Sequence, residues 1–95
     1  MTEVITDDMV FIPAEGLEVS DVPDGRVIYQ SAMERVHYLN PTALLVFEFC
    51  DMQRPVAEIV AFLQTAYQLP LPPLTEVRDC IASLLKEGLL RPSTP

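Results

Sequence analysis

The pattern of apolar and polar positions changes its period near residue 40, and this change divides the chain into a strand-rich and a helical part. Between residues 16 and 39, β-branched and aromatic residues come in short runs separated by turn residues, which predicts a three-stranded meander. The Pro-Asp-Gly turn at residues 23–25 fits, because proline fixes φ and glycine accepts positive φ. The predicted strands are carried by Leu17, Val19 and Val22, by residues 27–29, and by Arg35–Leu39, with residues 31–34 as the second turn.

A helical period follows. Asn40 and Pro41 form a strong helix start, since asparagine caps and proline is tolerated at the first helical position. The first helix, from Pro41 to about Asp51, is apolar nearly all round and should be the central buried helix. A second, amphipathic helix covers residues 55–67, and the proline-rich residues 68–74 cannot be helical. The third helix starts near Thr75 and stops at Gly88.

Three short strands followed by three helices predict an α+β fold in which one helical layer covers one face of the antiparallel sheet. The order of elements is also that of a winged helix-turn-helix. Residues 1–15, with an apolar run at 9–12, form either an N-terminal arm or a short edge strand, and the pattern does not choose between them. Residues 16–90 are the predicted domain, and residues 91–95 a tail.

The net charge of −8 makes phosphate backbones and anionic membranes poor partners, so we expect no nucleic acid and no membrane. No apolar run approaches the ~20 residues that span a bilayer. The start, MTEVITDD, lacks the basic flank and apolar stretch of a signal peptide, which predicts a cytoplasmic protein. Cys50 and Cys80 each lie in an apolar helical pattern, and we predict that both are buried and free.

Candidate catalytic chemistry is sparse. The single histidine, His37, lies in the middle of a predicted strand with no acid at a suggestive spacing, so it is interpreted as a structural residue within or beside the core. The two cysteines and this histidine show none of the paired spacings of a metal site. The three glycines all have turn or cap roles, and no phosphate-binding loop exists. We therefore predict no catalytic residue, no metal, no cofactor and no enzymatic activity.

The third predicted strand has one neighbour in a simple meander, which leaves an edge. An unpaired edge is a template for an extended peptide, although an edge protected by charge or by the N-terminal arm is equally compatible with the residues. Along this strand Val36 and Tyr38 share one face, and Arg35, His37 and Leu39 share the other. Which set faces the helices stays open.

The runs VHYLNPTALLVFEFCD, VAEIVAFL and TEVRDCIASLLKEGLL resemble the PqqD-like family of peptide chaperones, or precursor-recognition domains, of ribosomally made and modified peptides. The resemblance covers residues 16–90. Its most specific parts are residues 39–41, Cys50 with Asp51, and residues 88–90. The chain departs from the family's usual pattern at Met52, where glycine is usual, and at Pro55, where threonine or serine often caps the second helix.

The resemblance implies that the leader of a precursor peptide adds as a strand to the third strand and packs against the third helix. The protein would then present the precursor to a modifying enzyme, often a radical S-adenosylmethionine (radical SAM) enzyme. The alternatives are a winged-helix regulator and an enzyme-stabilising subunit, both acting through protein contacts. The candidate peptide-binding residues are Arg35, Val36, His37, Tyr38 and Leu39 on the strand, and Arg78, Ile81, Ala82 and Leu85 on a stripe beside the apolar face of the third helix.

Overall fold

The secondary structure follows the predicted order of three sheet strands and three helices, which confirms the α+β fold class. The computed structural model describes residues 5–93. A single 3₁₀ turn, Ser31–Met33, joins the last two strands of the meander. The strands are β1 (Phe11–Pro13), β2 (Leu17–Val22), β3 (Gly25–Gln30), β4 (Arg35–Leu39) and β5 (Leu90–Pro92), and the helices are α1 (Pro41–Asp51), α2 (Val56–Ala66) and α3 (Leu74–Lys86).

The main sheet is antiparallel with the strand order β2-β3-β4. Val22 pairs with Gly25 across a two-residue turn, and Gln30 pairs with Arg35 across the 3₁₀ turn. β3 is therefore the central strand. Within residues 5–93, no strand pairs with the other edge of β4.

A second, two-stranded sheet was not predicted. β1 pairs antiparallel with β5, with Phe11 opposite Pro92 and Pro13 opposite Leu90. Phe11 and Leu90 are both buried, so this small sheet closes one side of the core. The apolar run near the N-terminus thus contains a short strand, and two residues of the segment interpreted as a tail belong to its partner strand.

The core lies between the main sheet and the helices. Ile28 of β3 and Leu39 of β4 point toward the helices and are buried. In α1 every residue from 43 to 50 is buried or half-buried, in keeping with the central position predicted for this helix. α2 and α3 complete the layer with Val56, Ile59, Val60, Leu63, Val77, Ile81 and Leu84.

The start of α2 is capped by the segment that precedes β1. The residue before α2, Pro55, makes no side-chain capping bond. Instead, the carbonyl oxygen of Met9 accepts a hydrogen bond of 3.0 Å from the N–H of Val56, and that of Asp7 accepts one of 2.9 Å from the N–H of Ala57. The carbonyl of Asp7 thus satisfies the donor of Ala57, which a serine or threonine side chain at position 55 could cap, and the carbonyl of Met9 satisfies the preceding donor.

Candidate functional site

A groove with a volume of about 670 Å³ runs between β4 and α3. One end is marked by Glu87, the residue that follows α3, whose carboxylate lies 3.8 Å from the guanidinium of Arg35. The other end is reached where β4 turns into α1, at Asn40 and Thr42. The lining residues are Arg35, Val36, His37, Tyr38, Leu39, Asn40, Thr42 and Ala43 on one side, and Glu76, Asp79, Cys80, Ser83, Leu84, Glu87 and Leu89 on the other.

The backbone of β4 offers hydrogen-bonding groups to this groove. Because only two residues separate Val22 from Gly25, their pairing must be a hydrogen-bonded one. Successive residues of an antiparallel strand bond to opposite neighbours, so residues 26, 28 and 30 of β3 bond to β4. Their partners on β4 are residues 39, 37 and 35. The N–H and C=O groups of Val36 and Tyr38 therefore point away from β3, toward the open edge.

The side chains of β4 divide between the two faces of the sheet. Leu39 is buried and His37 is half-buried, so these two residues and Arg35 face the helices. Val36 and Tyr38 lie on the opposite face, where they are 64% and 55% exposed. This arrangement settles which set of β4 side chains is turned toward α3.

A polar cluster ties β4 to the C-terminal end of α3. The buried Gln30 side chain donates from Nε2 to the carbonyl oxygens of Glu87 and Gly88, both at 3.2 Å. Its Oε1 lies 3.0 Å from Nε2 of His37, and because Oε1 can only accept, the hydrogen sits on His37 Nε2. Nδ1 of His37 then faces the Glu87 carboxylate at 3.8 Å. These contacts set the spacing between the strand and the helix at this end of the groove.

The helical wall of the groove is acidic. Glu76, Asp79, Ser83 and Glu87 follow one another at the three- and four-residue spacing that places side chains on one face of a helix. Cys80 lies on the same stripe, and partial burial raises the pKa of its thiol. Three carboxylates thus face a strand that contributes Arg35 and His37. The wall is unsuited to phosphate groups, which require positive charge.

All five strand residues named from the sequence line the groove, but the four helix residues do not. Ile81 is fully buried in the core, and Leu85 packs against the core from the side. Arg78 is turned toward the N-terminal segment, where its Nη2 donates to the carboxylate of Asp7 at 2.8 Å. Ala82 is exposed outside the groove.

The residues that sequence reasoning missed are on the other flank of the same helix. An amphipathic helix has a polar flank on each side of its apolar stripe, and the sequence of α3 alone does not tell which flank faces β4. The sequence does contain a signal for this flank, a mostly polar stripe at helical spacing formed by positions 76, 79, 80, 83 and 87.

Both cysteines are free, as predicted, but their burial differs. Cys50 is fully buried, and burial raises the pKa of its thiol to about 12. Cys80 is only half-buried and lines the groove, so the prediction of burial was wrong for this residue. The helical pattern placed Cys80 beside the apolar face of α3, where one side of the side chain remains open to the groove.

Two further observations concern the part of the chain that the structure describes. Residues 5–93 contain no group of three or more His, Cys, Asp or Glu side chains that could hold a metal ion. None of the described helices is both long enough and apolar enough to cross a bilayer.

Among known proteins, the chain matches the sequence model of one family. The sequence model of the family described as "Coenzyme PQQ synthesis protein D (PqqD)" matches residues 25–90, which is more than half of the chain. The match includes β3, β4, the three helices and hence the whole lining of the groove. No curated protein and no solved structure matched the chain.

Proposed function

Since the chain belongs to the PqqD family of precursor-peptide recognition elements, we propose that it binds the leader segment of a ribosomally made precursor peptide. The leader adds as a strand to the open edge of β4 and rests in the groove against α3. The protein presents the bound precursor to a modifying enzyme, for which a radical SAM enzyme is the proposed partner. It performs no chemistry itself, in keeping with the accessory role of the family.

The observation that carries this proposal is the open edge of β4 beside a groove of matching length. Val36 and Tyr38 direct four backbone groups outward, and backbone bonds to such an edge give affinity without regard to sequence. The N-terminal segment does not cover this edge in residues 5–93, because it packs on α2 and pairs through β1 with β5. The unpaired N–H and C=O groups of an exposed edge strand are a template for pairing, and a bound peptide strand would satisfy them.

A winged-helix regulator that reads DNA has less support. In such a protein the third helix enters the major groove with basic side chains. Here α3 carries Glu76, Asp79 and Glu87 on the flank beside the sheet, on a chain with a net charge of −8. Repulsion from the phosphates would oppose this approach.

The proposed function is tested by calorimetry with synthetic peptides that carry the leader segments of short open reading frames near this protein's gene. Val36→Pro removes an N–H that points to the open edge, so the fold should survive while strand addition is blocked. We expect affinity for the leader to fall about tenfold or more, the equivalent of at least one backbone hydrogen bond. Val36→Ala keeps the N–H and is the matched control.

The outcome for Val36→Ala separates a backbone effect from a side-chain effect. If it weakens binding as much as Val36→Pro does, the side chain and not the strand edge holds the leader. If a folded Val36→Pro protein binds the leader with unchanged affinity, strand addition at β4 is wrong.

A further inference from the structure

We propose that the peptide held in this groove carries a lysine or arginine at the helix-facing position that lies over Glu76 and Asp79. The inference rests on the proposed function and adds the chemistry of the peptide that the groove accepts. Two residues further along the peptide, the next helix-facing side chain is small or apolar.

The basis is an imbalance of charge along the groove. At one end, the carboxylate of Glu87 pairs with the guanidinium of Arg35 at 3.8 Å. At the other end, Glu76 and Asp79 line the groove one turn of α3 apart. Within the described residues neither of these two acids forms an ion pair. A bound peptide would therefore meet two uncompensated negative charges at this end.

The positive charge nearest in sequence, that of Arg78, does not neutralise this acidic end. Arg78 lies on the same helix, but its guanidinium is held by Asp7 on the opposite flank. The N-terminus of α3 offsets part of the charge of Glu76, since a helix dipole is positive there. When a peptide covers the groove and displaces water, the attraction of the remaining negative charge for a cation increases.

The geometry sets where along the peptide the basic residue lies. Glu76 and Glu87 are eleven residue steps apart, about 16 Å along a helix, which corresponds to about five residues of an extended strand. Since alternate side chains of a strand share a face, two to three peptide side chains face α3 over this length. The middle one lies over Cys80, Ser83 and Leu84, where the wall is small or apolar.

The test is selection from a displayed library of random nine-residue peptides on the full-length protein. We expect the bound peptides to be enriched in lysine or arginine at one position, with an apolar or small residue two positions away. The neutral double variant Glu76→Gln/Asp79→Asn should bind the selected peptides about fivefold more weakly, as expected for the loss of one or two partly exposed ion pairs. The control, Glu18→Gln/Asp51→Asn, changes the net charge equally at exposed positions outside the groove and should bind as the parent does.

Charge reversal provides a gain of function. The variant Glu76→Lys/Asp79→Lys should select peptides with aspartate or glutamate at the same position. The inference is overturned if the parent protein selects no basic residue, if the reversed variant selects the same peptides as the parent, or if the control double variant weakens binding as much as the groove variant.

The same experiment separates this inference from the function on which it rests. If peptides are selected without a basic preference and Val36→Pro abolishes their binding, the groove function stands and the charge inference fails. If no peptide is selected above background, or if those selected bind Val36→Pro unchanged, the proposed function fails and the inference fails with it.

Discussion

Gln30 is the buried polar residue on which the distance between strand and helix depends. Its amide satisfies the carbonyl groups of Glu87 and Gly88 at the end of α3, and its oxygen receives the hydrogen of His37 Nε2. A buried carbonyl without a hydrogen-bond donor destabilises the folded state, so these bonds contribute to stability. Through them one side chain joins β3, β4 and the end of α3. The sequence gives no hint of this role, because a glutamine at a strand end is usually exposed.

We expect Gln30→Leu to lower the free energy of unfolding by about 1–3 kcal/mol, because it leaves two carbonyls and the imidazole without their partner. Urea denaturation measures the change. Gln64→Leu is the matched control, since the Gln64 amide makes a single bond of 3.4 Å, and it should stay within about 0.5 kcal/mol of the parent. Equal effects of the two substitutions would show that the amide of Gln30 is not structural.

The Cys50 thiol makes stability depend on alkaline pH. Burial, with a smaller contribution from Cys80, raises its pKa from 9.0 to about 12. Above pH 9 the unfolded chain loses this proton first, so ionisation favours unfolding, and stability falls as pH rises from 9 toward 12. Between about pH 8 and pH 10.5 this one group should remove about 2 kcal/mol.

Cys50→Ala removes that group, so its free energy of unfolding should fall less over the same pH interval than that of the parent protein. Urea denaturation at both pH values provides the comparison, and each protein serves as its own reference at the lower pH. An identical fall in the two proteins would mean that Cys50 already ionises normally in the folded state.

At the residue level, the strand side of the groove lining could be predicted and the helix side could not. Arg35 to Leu39 were named because the order of the elements leaves an edge on this strand and the family resemblance implies that a leader adds there. Arg78, Ile81, Ala82 and Leu85 do not line the groove, because the apolar stripe of α3 has two flanks and tertiary packing decides which one meets β4.

At the scale of elements, the N-terminal segment replaces the cap that the sequence of α2 lacks. The family often has serine or threonine where this chain has Pro55, and the carbonyls of Asp7 and Met9 accept the N–H groups at the start of the helix. Asp7 also binds Arg78, so the same segment contacts α2 and α3. This departure from the family pattern is therefore compensated from outside the matched residues 25–90.

Removal of residues 1–9 should lower the free energy of unfolding by about 2–4 kcal/mol, since two backbone hydrogen bonds and the buried side chain of Ile5 are lost. Pro55→Ser should restore about 1 kcal/mol in the shortened chain by capping α2 with its own side chain. In the full-length chain, where the donors are already satisfied, the same substitution should add little. Thermal or urea unfolding of the four proteins tests this account, and an equal gain in both backgrounds would contradict it.

The long elements were predictable because each repeats its period over several turns or residues, and their ends agree with the structure within one residue or so. The second helix was predicted at residues 55–67 and extends over Val56–Ala66. The β1–β5 sheet was not predictable, since each strand has three residues including a proline. Pairing between the two ends of the described chain leaves no local periodic signal.

At the scale of the whole molecule, the main sheet of the described residues has two outer edges, on β2 and on β4, and the β4 edge borders the groove walled by α3. The N- and C-terminal strands pair with each other, and the helices cover one face of the main sheet. The edge of β4 combines outward-pointing backbone groups with an acidic helix beside it. The central claim is that a leader peptide completes this sheet as a fourth strand.

Hydrogen exchange of individual backbone amides, measured by NMR with and without the leader peptide, tests this claim most directly. In the free protein the amides of Val36 and Tyr38 point to solvent, whereas those of Arg35, His37 and Leu39 already bond to β3. Strand addition predicts that the leader slows exchange at residues 36 and 38 and changes exchange at residues 35, 37 and 39 far less. Slowed exchange confined to α2 or to the N-terminal segment, with Val36 and Tyr38 unchanged, would contradict the account.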